Sequence, residues 1–460
     1  MVRAASATLT VLLARVYGPS QYGAYSTALG LANLAVLFPD FGISLLIARD
    51  GARAHDQIPL LMRAGITAKT LLSLCAIVLL AVVAVALGYP RLTLSLIVIV
   101  GIGTLVGNYS TTFYAGHLAL EQNDRAGVVT ATVGVASLVG AAVAILLGNS
   151  IVVAALYSTL GSGAAVALSG RGWFKSFEGF VSWTELRSIM SKAAPFAIGS
   201  ILYYVYFRID VVMLSVWRSP EEVGWYNAAY RLVAVLYFIP GSVCAALFSR
   251  LSRLATVDPL EHRTYIAQMV RIMGSVGLLV STVLIMGSSS IVTGLFGQDF
   301  SQSAPLLGVL GWFLLLQCVS FPLGDGLSTT DRQTGRLWVM GAAAALNVLL
   351  NVLWIPSRGA TGAAVATLVT EAFVAAGYWV LLSRPNVDRR LLIALGPAII
   401  GAGAVIATRY ALADSGASLG VKVLLTLAAA TVAMVIGNWG ADKLGLKLRT
   451  PGNITAATPT

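Results

Sequence analysis

Apolar runs alternate with short polar segments along almost the whole chain, and each run reaches the roughly 20 residues that a helix needs to cross a bilayer. In lipid, every backbone group has to be satisfied within its own segment, so the spans are predicted to be helices. The pattern predicts about fourteen of them, near residues 2–17, 24–48, 64–88, 93–115, 127–148, 150–169, 194–216, 225–248, 265–287, 304–324, 337–356, 362–382, 391–410 and 420–438.

The composition fits a lipid environment. Residues are 57% hydrophobic and only 11% charged, whereas a soluble domain carries about 25% charged residues. The net charge of +11 is spread over short loops, so there is no basic domain that would bind nucleic acid. The three cysteines, Cys75, Cys244 and Cys318, lie inside apolar runs, which disfavours a disulfide framework.

The loops differ in charge in an alternating way. One set holds 19 Lys and Arg residues and the opposite set holds six. Because positive residues stay on the cytoplasmic side, the rich set is predicted to be cytoplasmic, together with both termini. The outer loops are short, which disfavours membrane enzymes that carry catalytic residues in a large outer loop. No Walker motif, metal-ligand cluster or nucleophile elbow occurs, so we expect neither an enzyme nor a cofactor or metal site.

The chain contains an internal repeat. Residues 18–28 match residues 219–229 at an offset of 201, and the match continues to Pro39 and Pro240. Six predicted spans separate the copies, an even number, so the two units have the same orientation, as in a parallel repeat. We therefore divide the chain into a first six-helix bundle (1–170), a cytoplasmic linker with an interfacial helix (171–193), a second six-helix bundle (194–383) and two extra helices with a tail (384–460).

Local signals refine this picture. Ser182 and Glu185 form a capping-box pattern at the start of the linker helix, and Asp258 precedes a proline as a second helix start. Pro39 and Pro240 lie within the second helix of each unit, where proline kinks a helix. They are candidate hinges for alternating access, or static kinks. The first span lacks about eight residues that its counterpart has, so either that helix is short or the reading frame starts upstream.

Three stretches carry a resemblance to a known family. They are residues 13–23 with 40–42, residues 208–214 with 220–226, and residues 359–367. These motifs resemble those of the Wzx-type polysaccharide flippases, and the resemblance covers nearly the whole chain. It implies a MATE-like fold of the MOP superfamily, with two six-helix bundles. It also implies outward flipping of lipid-linked oligosaccharides, usually on undecaprenyl pyrophosphate.

Charged residues within the spans are candidate functional groups, because an ionisable group is costly in a membrane. Asp210 and Arg231 flank a hairpin whose turn covers residues 217–224, so we expect them at equal depth and paired. This pair either neutralises itself or provides a movable charge. Arg208 points away from Asp210, and its planar fork suits a pyrophosphate. The alternative is that Arg208 pairs with another helix or snorkels outward.

Two more acids are candidates for ion coupling or charge pairing. Asp40 follows Pro39 and could cap backbone groups that the kink frees. Glu371 lies near the middle of the span 362–382 and is either a proton or sodium site or a hydrogen-bond partner of another helix. Lys69 and Arg271 are expected near helix ends, where their side chains snorkel to the interface. Tyr204 and Tyr206 belong to an aromatic run that could stack on sugars or pack at the membrane interface.

We interpret the chain as a secondary transporter that flips a polyprenyl-pyrophosphate-linked oligosaccharide across the bacterial plasma membrane for surface polysaccharide biosynthesis. Arg208 and Arg231 would bind the head group. The expected partners are the lipid-linked glycan, the bilayer, H+ or Na+ as the coupling ion, and a polysaccharide polymerase or glycosyltransferases. The alternatives are a MATE-type small-molecule or cation exporter, a lipid II flippase, and a scaffold that transports nothing.

The topology can be checked with single cysteines. In a variant whose three native cysteines are replaced by alanine, a membrane-impermeant thiol reagent should label Ser415→Cys from outside intact cells. It should label Asp258→Cys only after permeabilisation, because residue 258 is predicted to lie in a positively charged cytoplasmic loop. The reverse pattern would invert the orientation.

Overall fold

The chain is almost entirely helical. A computed structural model describes residues 2–173, 179–383, 388–412, 415 and 418–443, and no β-strand occurs among them. The helices are α1 (Val2–Ala35), α2 (Leu37–Asp40), α3 (Ile43–Arg53), α4 (Ile58–Ala86), α5 (Arg91–Gly107), α6 (Tyr109–Ala119), α7 (Asn123–Leu146), α8 (Ile151–Gly170), α9 (Trp183–Trp217), α10 (Pro220–Leu236), α11 (Phe238–Val257), α12 (Pro259–Phe296), α13 (Ser303–Thr329), α14 (Gln333–Ser383), α15 (Arg389–Ala411) and α16 (Leu419–Lys443). Single 3-10 turns lie at His55–Gln57 and Gln298–Phe300.

Within the described residues, 11 helical segments are long and apolar enough to cross a membrane. This confirms a multi-pass membrane protein. Two of these segments contain a sharp break, at Gly18 (φ 73°) and at Gly359 (φ 56°), where the chain adopts a conformation that only glycine reaches readily. Each break coincides with a predicted turn between two spans. The number fourteen stays a prediction.

The turns of the two repeats have matching conformations. Glu121 (φ 58°) and Asp331 (φ 55°) both lie in the left-handed region, which is uncommon for residues other than glycine. Each stands in the tight turn that joins the fourth and fifth helices of its copy. Gly148 (φ 70°) and Gly359 (φ 56°) likewise stand between the fifth and sixth. The repeat therefore extends beyond the segments in which the residue letters still agree.

Both predicted proline kinks are present. α1 ends at Ala35 and α10 ends at Leu236, and each of these residues lies four positions before a proline, Pro39 or Pro240. Proline lacks the N–H that would bond to the carbonyl four residues earlier and clashes with that carbonyl, which favours a break at this point. The first copy has a further break at Gly42 (φ 76°), whereas α11 continues without interruption.

Both predicted helix starts are confirmed, with one correction. The Ser182 hydroxyl accepts a bond from the Glu185 N–H at 3.2 Å, and the Glu185 carboxylate accepts one from the Ser182 N–H at 2.8 Å. These bonds hold the pKa of Glu185 below its usual value. The helix that starts here is not a separate interfacial helix: α9 continues unbroken to Trp217. At the second start, Asp258 Oδ1 accepts from the Glu261 N–H at 2.9 Å.

The chain forms two compact units. Unit 1 comprises Met1–Val235 with Thr293–Ser303 and Ala344–Ala366, and unit 2 comprises Leu236–Val292 with Ala304–Ala343 and Thr367–Thr460. This is a division by packing, whereas the four segments predicted from the sequence are a division by repeat. The predicted segment borders therefore stay a prediction.

In unit 1, the matched motifs of the repeat pack directly on each other. A Cβ added to Gly23 would lie 1.6 Å from the carbonyl oxygen of Pro220, and one added to Gly224 would lie 2.2 Å from that of Pro19. All four residues are matched positions, so α1 and α10 cross with local pseudo-two-fold symmetry. Glycine is required because small residues let helix backbones approach each other in a membrane.

A polar contact lies one turn beyond this crossing. The side-chain amide of Asn227 donates to the Ser26 hydroxyl at 2.7 Å and to the Tyr22 hydroxyl at 3.1 Å, and all three residues are buried. Ser26 and Asn227 are again matched positions. Hydrogen bonds of this kind between membrane helices are worth on average about 0.6 kcal/mol and up to about 2 kcal/mol.

Two segments that come later in the chain form hydrogen bonds with the start of α10 within the same unit. The Trp225 indole donates to the carbonyl of Asp299 at 3.1 Å, and the Glu222 carboxylate accepts from the N–H of Ala360 at 3.1 Å. A Cβ on Gly359 would lie 2.0 Å from Glu222 Oε2, so this glycine is required both for its positive φ and for space. The start of α10 is therefore held from several sides.

In unit 2, a buried arginine fastens the last helix. Arg271 of α12 donates to Asn438 Oδ1 at 2.5 Å, to the Asn438 carbonyl at 2.8 Å and to Asp442 Oδ1 at 2.8 Å. Its side chain is only 1% exposed, so the expectation that it snorkels is wrong. α12 begins at Pro259, which places Arg271 about 18 Å along the helix at 1.5 Å per residue.

The crossing predicts a strong asymmetry between two glycine substitutions. Gly23→Ala should destabilise the protein by about 1–3 kcal/mol or more, because overpacking outweighs the gain in helix propensity. The matched control is Gly127→Ala on α7, where nothing lies within 4 Å of the new methyl group. The difference in stability is measured by thermal unfolding of both purified variants, with size-exclusion chromatography as the readout of the protein that stays folded. Equal stability of the two variants would contradict the crossing.

Candidate functional site

Unit 1 contains a cavity of about 440 Å³, a size within the usual range of ligand pockets. Residues of α1, α5, α6, α7, α8, α9 and α10 line it. The lining residue of α10, Arg231, lies one turn beyond Asn227. Its described lining includes two arginines but no acidic residue. The neutral polar lining includes Ser6, Asn33, Asn108, Thr111, Ser137 and Ser158.

Both arginines predicted to bind a head group line this cavity. Arg208 comes from α9, and its guanidinium carbon lies 5.5 Å from the centre of the Tyr230 ring. Arg231 comes from α10 and donates to the Ser6 hydroxyl at 3.4 Å, while its buried Nε has no partner among the described residues. Two cations and no acid make this cavity suited to an anion.

The predicted ion pair between Asp210 and Arg231 is not formed. Asp210 is 3% exposed and accepts hydrogen bonds from the Tyr226 hydroxyl and, at 2.7 Å, from the Val211 N–H. The reason is the position of the turn, because α9 ends at Trp217 and α10 begins three residues later. Asp210 therefore lies level with Tyr226, more than one turn before Arg231.

Asp40 forms an ion pair with Lys69, a residue that was expected from the sequence to snorkel. Its Oδ1 lies 2.8 Å from the Nζ of Lys69. The Lys69 side chain is 1% exposed and that of Asp40 is 25% exposed. The expectation that Lys69 snorkels is wrong, because α4 begins at Ile58 and places Lys69 about 16 Å along the helix at 1.5 Å per residue.

Lys69 also joins two helix interruptions. Its ammonium donates to Ser44 Oγ at 3.0 Å, to Thr111 Oγ1 at 2.9 Å and to the carbonyl of Asn108 at 3.1 Å. Asp40 and Ser44 flank the break between α2 and α3, and Asn108 stands between α5 and α6. One buried cation thus contacts polar groups at both breaks. Asn108 and Thr111 belong to the cavity wall.

Glu371 lies in unit 2 and does not line the cavity of unit 1. It is 1% exposed and accepts hydrogen bonds from the Gln317 amide at 2.7 Å and from the Ser320 hydroxyl. This is the contact between helices that the sequence left as one of two alternatives. Its role in ion coupling stays a prediction.

The aromatic run of α9 divides by position. Tyr204 lines the cavity, whereas the rings of Tyr206 and Phe207 pack edge to face with their centres 4.6 Å apart. The side chain of Tyr203 lies outside the described residues. Sequence reasoning missed the neutral polar wall, although serine, threonine and asparagine on apolar helices of the first bundle were a visible signal.

Unit 2 carries a groove of a different kind. It has a volume of about 670 Å³, and its described lining consists of hydrophobic residues and one glycine, contributed by α13, α14 and α15. Trp312 and Trp379 are among these lining residues. A groove with no charged residue in its described lining can hold a hydrocarbon chain but offers no opposite charge to a head group.

Comparisons with known proteins fit this arrangement. Residues 2–255, more than half of the chain, match the family model described as polysaccharide biosynthesis protein, and residues 195–353 match the MatE model. Two Haloferax volcanii proteins are similar over part of the chain. The probable low-salt glycan biosynthesis flippase Agl15 is 25% identical over 42% of this chain and 41% of its own length. The probable flippase AglR is 26% identical over 36% of this chain and 35% of its own length. The matched region thus spans about two fifths of these relatives.

Solved structures show the same fold. The lipid II flippase MurJ in an inward closed conformation gives a TM-score of 0.73 at 14% identity, covering 96% of this chain and 97% of that chain. A multidrug resistance MATE transporter of the MOP superfamily in an inward-facing conformation gives a TM-score of 0.67 at 15% identity. The match covers 83% of this chain and 93% of that chain. The predicted all-α, MATE-like fold class is confirmed.

The Asp40–Lys69 pair predicts unequal effects of removing either partner. Asp40→Asn leaves a fully buried ammonium without a counter-ion, which commonly costs about 3–5 kcal/mol. Lys69→Met should cost less, because the Asp40 carboxylate is 25% exposed and keeps some hydration. The double variant should be more stable than the sum of the two losses predicts. Thermal unfolding of the wild-type protein, the two single variants and the double variant forms a double-mutant cycle. Additive losses of stability would contradict the pairing.

Proposed function

Because the chain belongs to the polysaccharide biosynthesis protein family, we propose that it flips a polyprenyl-pyrophosphate-linked oligosaccharide across the plasma membrane by alternating access. The membership bears out the resemblance to Wzx-type flippases at the level of the MOP superfamily. Two of the relatives are named as flippases, one of them in glycan biosynthesis. The substrate is our own proposal.

The observation that carries the proposal is the pair of arginines in a cavity with no acid in its described lining. A pyrophosphate has to leave water to cross the membrane, and this requires compensating charge. Arg208 and Arg231 supply that charge from adjacent helices, and a guanidinium can bind two phosphate oxygens at once. The neutral polar wall suits the uncharged part of a head group.

The groove of unit 2, taken by itself, suits hydrocarbon. A polyprenyl chain is hydrocarbon throughout, and the described lining of the groove has no charged residue. The groove therefore favours a substrate with an apolar part.

A MATE-type exporter of small molecules or cations is the second candidate, since residues 195–353 match the MatE model. A cation would be repelled by Arg208 and Arg231, and the described cavity lining has no carboxylate to attract it. The cavity therefore favours an anionic substrate. A lipid II flippase remains an anionic alternative, and the glycan distinguishes it.

The coupling and the setting complete the proposal. H+ or Na+ would drive the transport, with Asp40, Asp210 and Glu371 as candidate acids and Pro39 and Pro240 as hinges. The protein would act in the bacterial plasma membrane with both termini in the cytoplasm. Glycosyltransferases that build the lipid-linked glycan and a polymerase that uses it are the expected partners.

The role of Arg208 in binding the head group can be tested. In a strain lacking this protein, Arg208→Ala should fail to restore surface glycan, because one charge-assisted bond to phosphate contributes about 1.5–3 kcal/mol, or roughly tenfold to 150-fold in affinity. Arg208→Lys should restore part of the activity, because it keeps the charge without the fork. Surface glycan and lipid-linked glycan on the inner leaflet are measured together.

The matched control is Arg358→Ala, which removes an exposed arginine that does not line the cavity. It should restore surface glycan fully, and all variants should reach the membrane in equal amounts. If the deletion strain keeps normal surface glycan but becomes sensitive to cationic drugs, the exporter replaces the flippase. Arrest of peptidoglycan synthesis instead would indicate a lipid II flippase.

A further inference from the structure

The cavity wall supplied by α1, α7 and α8 has no charged residue in its described lining. It carries Asn33 on α1, Ser137 on α7 and Ser158 on α8. A side-chain amide and two hydroxyls can each donate and accept hydrogen bonds. This wall therefore differs in chemistry from the arginines of α9 and α10.

These three groups keep their hydrogen-bonding capacity for the cavity. Within the described part of the chain, the side chains of Asn33, Ser137 and Ser158 make no hydrogen bond, and each residue is partly exposed. Their neighbours differ, because Thr159 donates to the carbonyl of Ile99 at 3.2 Å. Helical serines commonly bond to the carbonyl one turn earlier, so two free serines on one wall are informative.

The two serines stand on helices that are locked together. A Cβ on Gly140 would lie 2.3 Å from the carbonyl oxygen of Tyr157, and one on Gly161 would lie 2.4 Å from that of Ala136. Ser137 precedes Gly140 by three residues, and Ser158 precedes Gly161 by three, so each serine shares a helix face with its glycine. The close packing fixes the helix backbones that carry both serines, as a binding site requires.

We infer that this wall is a subsite for an uncharged sugar ring, the one linked directly to the pyrophosphate that Arg208 and Arg231 bind. The inference rests on the proposed function and specifies its substrate. A sugar ring presents hydroxyls that donate and accept, and Asn33, Ser137 and Ser158 complement them. A uronic acid is disfavoured, because this wall has no cation to compensate for the desolvation of its carboxylate.

The test compares two probes on purified protein in lipid nanodiscs. One is a short-chain polyprenyl pyrophosphate, and the other is the same lipid bearing a single neutral N-acetylhexosamine. Ser137→Ala and Ser158→Ala should each weaken binding of the glycosylated probe by about threefold to tenfold and leave the sugar-free probe unchanged. Arg208→Ala should weaken both probes.

The matched control is Ser169→Ala, which removes a hydroxyl of α8 that does not line the cavity. It should change neither affinity. If wild-type protein binds the two probes equally, or if the serine variants weaken both alike, the sugar subsite is overturned while the flippase function stands. If a probe bearing a uronic acid binds as tightly as the neutral one, the preference for an uncharged ring is overturned. Failure to bind either probe would sink the proposed function itself.

Discussion

The crossing of α1 and α10 at Gly23 and Gly224 is the contact on which the rest of unit 1 depends. Lipid gives no hydrophobic drive for helices to associate, so close backbone packing has to hold them together. At this crossing each glycine meets the carbonyl oxygen of a matched proline, and no side chain could be accommodated. The cavity opens only beyond it, where Arg231 replaces the buried Asn227 as the residue facing inward.

Buried charge is the second constraint, and it is met by networks rather than by isolated pairs. Lys69 satisfies a carboxylate, two hydroxyls and a carbonyl from both sides of two helix breaks. Arg271 similarly satisfies an amide, a carbonyl and a carboxylate of α16. An ion in the membrane is tolerable only when several groups replace its water. Such networks are therefore expected to be rigid.

The sequence predicted those features that depend on local chemistry or on the repeat. Apolar runs predicted membrane-spanning helices, Ser182 and Asp258 predicted helix starts, and Pro39 predicted a kink. The structure has apolar helices of membrane-spanning length, both starts and the kink. Pairings failed because depth depends on where a helix begins. α4 starts six residues before its apolar run becomes evident, so Lys69 lies deep in the membrane, and a turn two residues earlier brings Asp210 to Tyr226.

The two copies of the repeat agree where the scaffold is built and differ where charge is placed. Matched prolines and glycines form the crossing and the kinks. Each candidate charge of the repeated segment, by contrast, aligns in sequence with a neutral residue of the other copy. The matched positions are Asp40 with Gly241, Arg208 with Ala7, Asp210 with Leu9, and Arg231 with Gly30. Every ion within the membrane carries a desolvation cost, so a second set of arginines would be costly unless a second anion occupied it. Duplication thus supplied matched backbone contacts through glycine, and divergence placed both arginines of the cavity, Arg208 and Arg231, in the second copy alone.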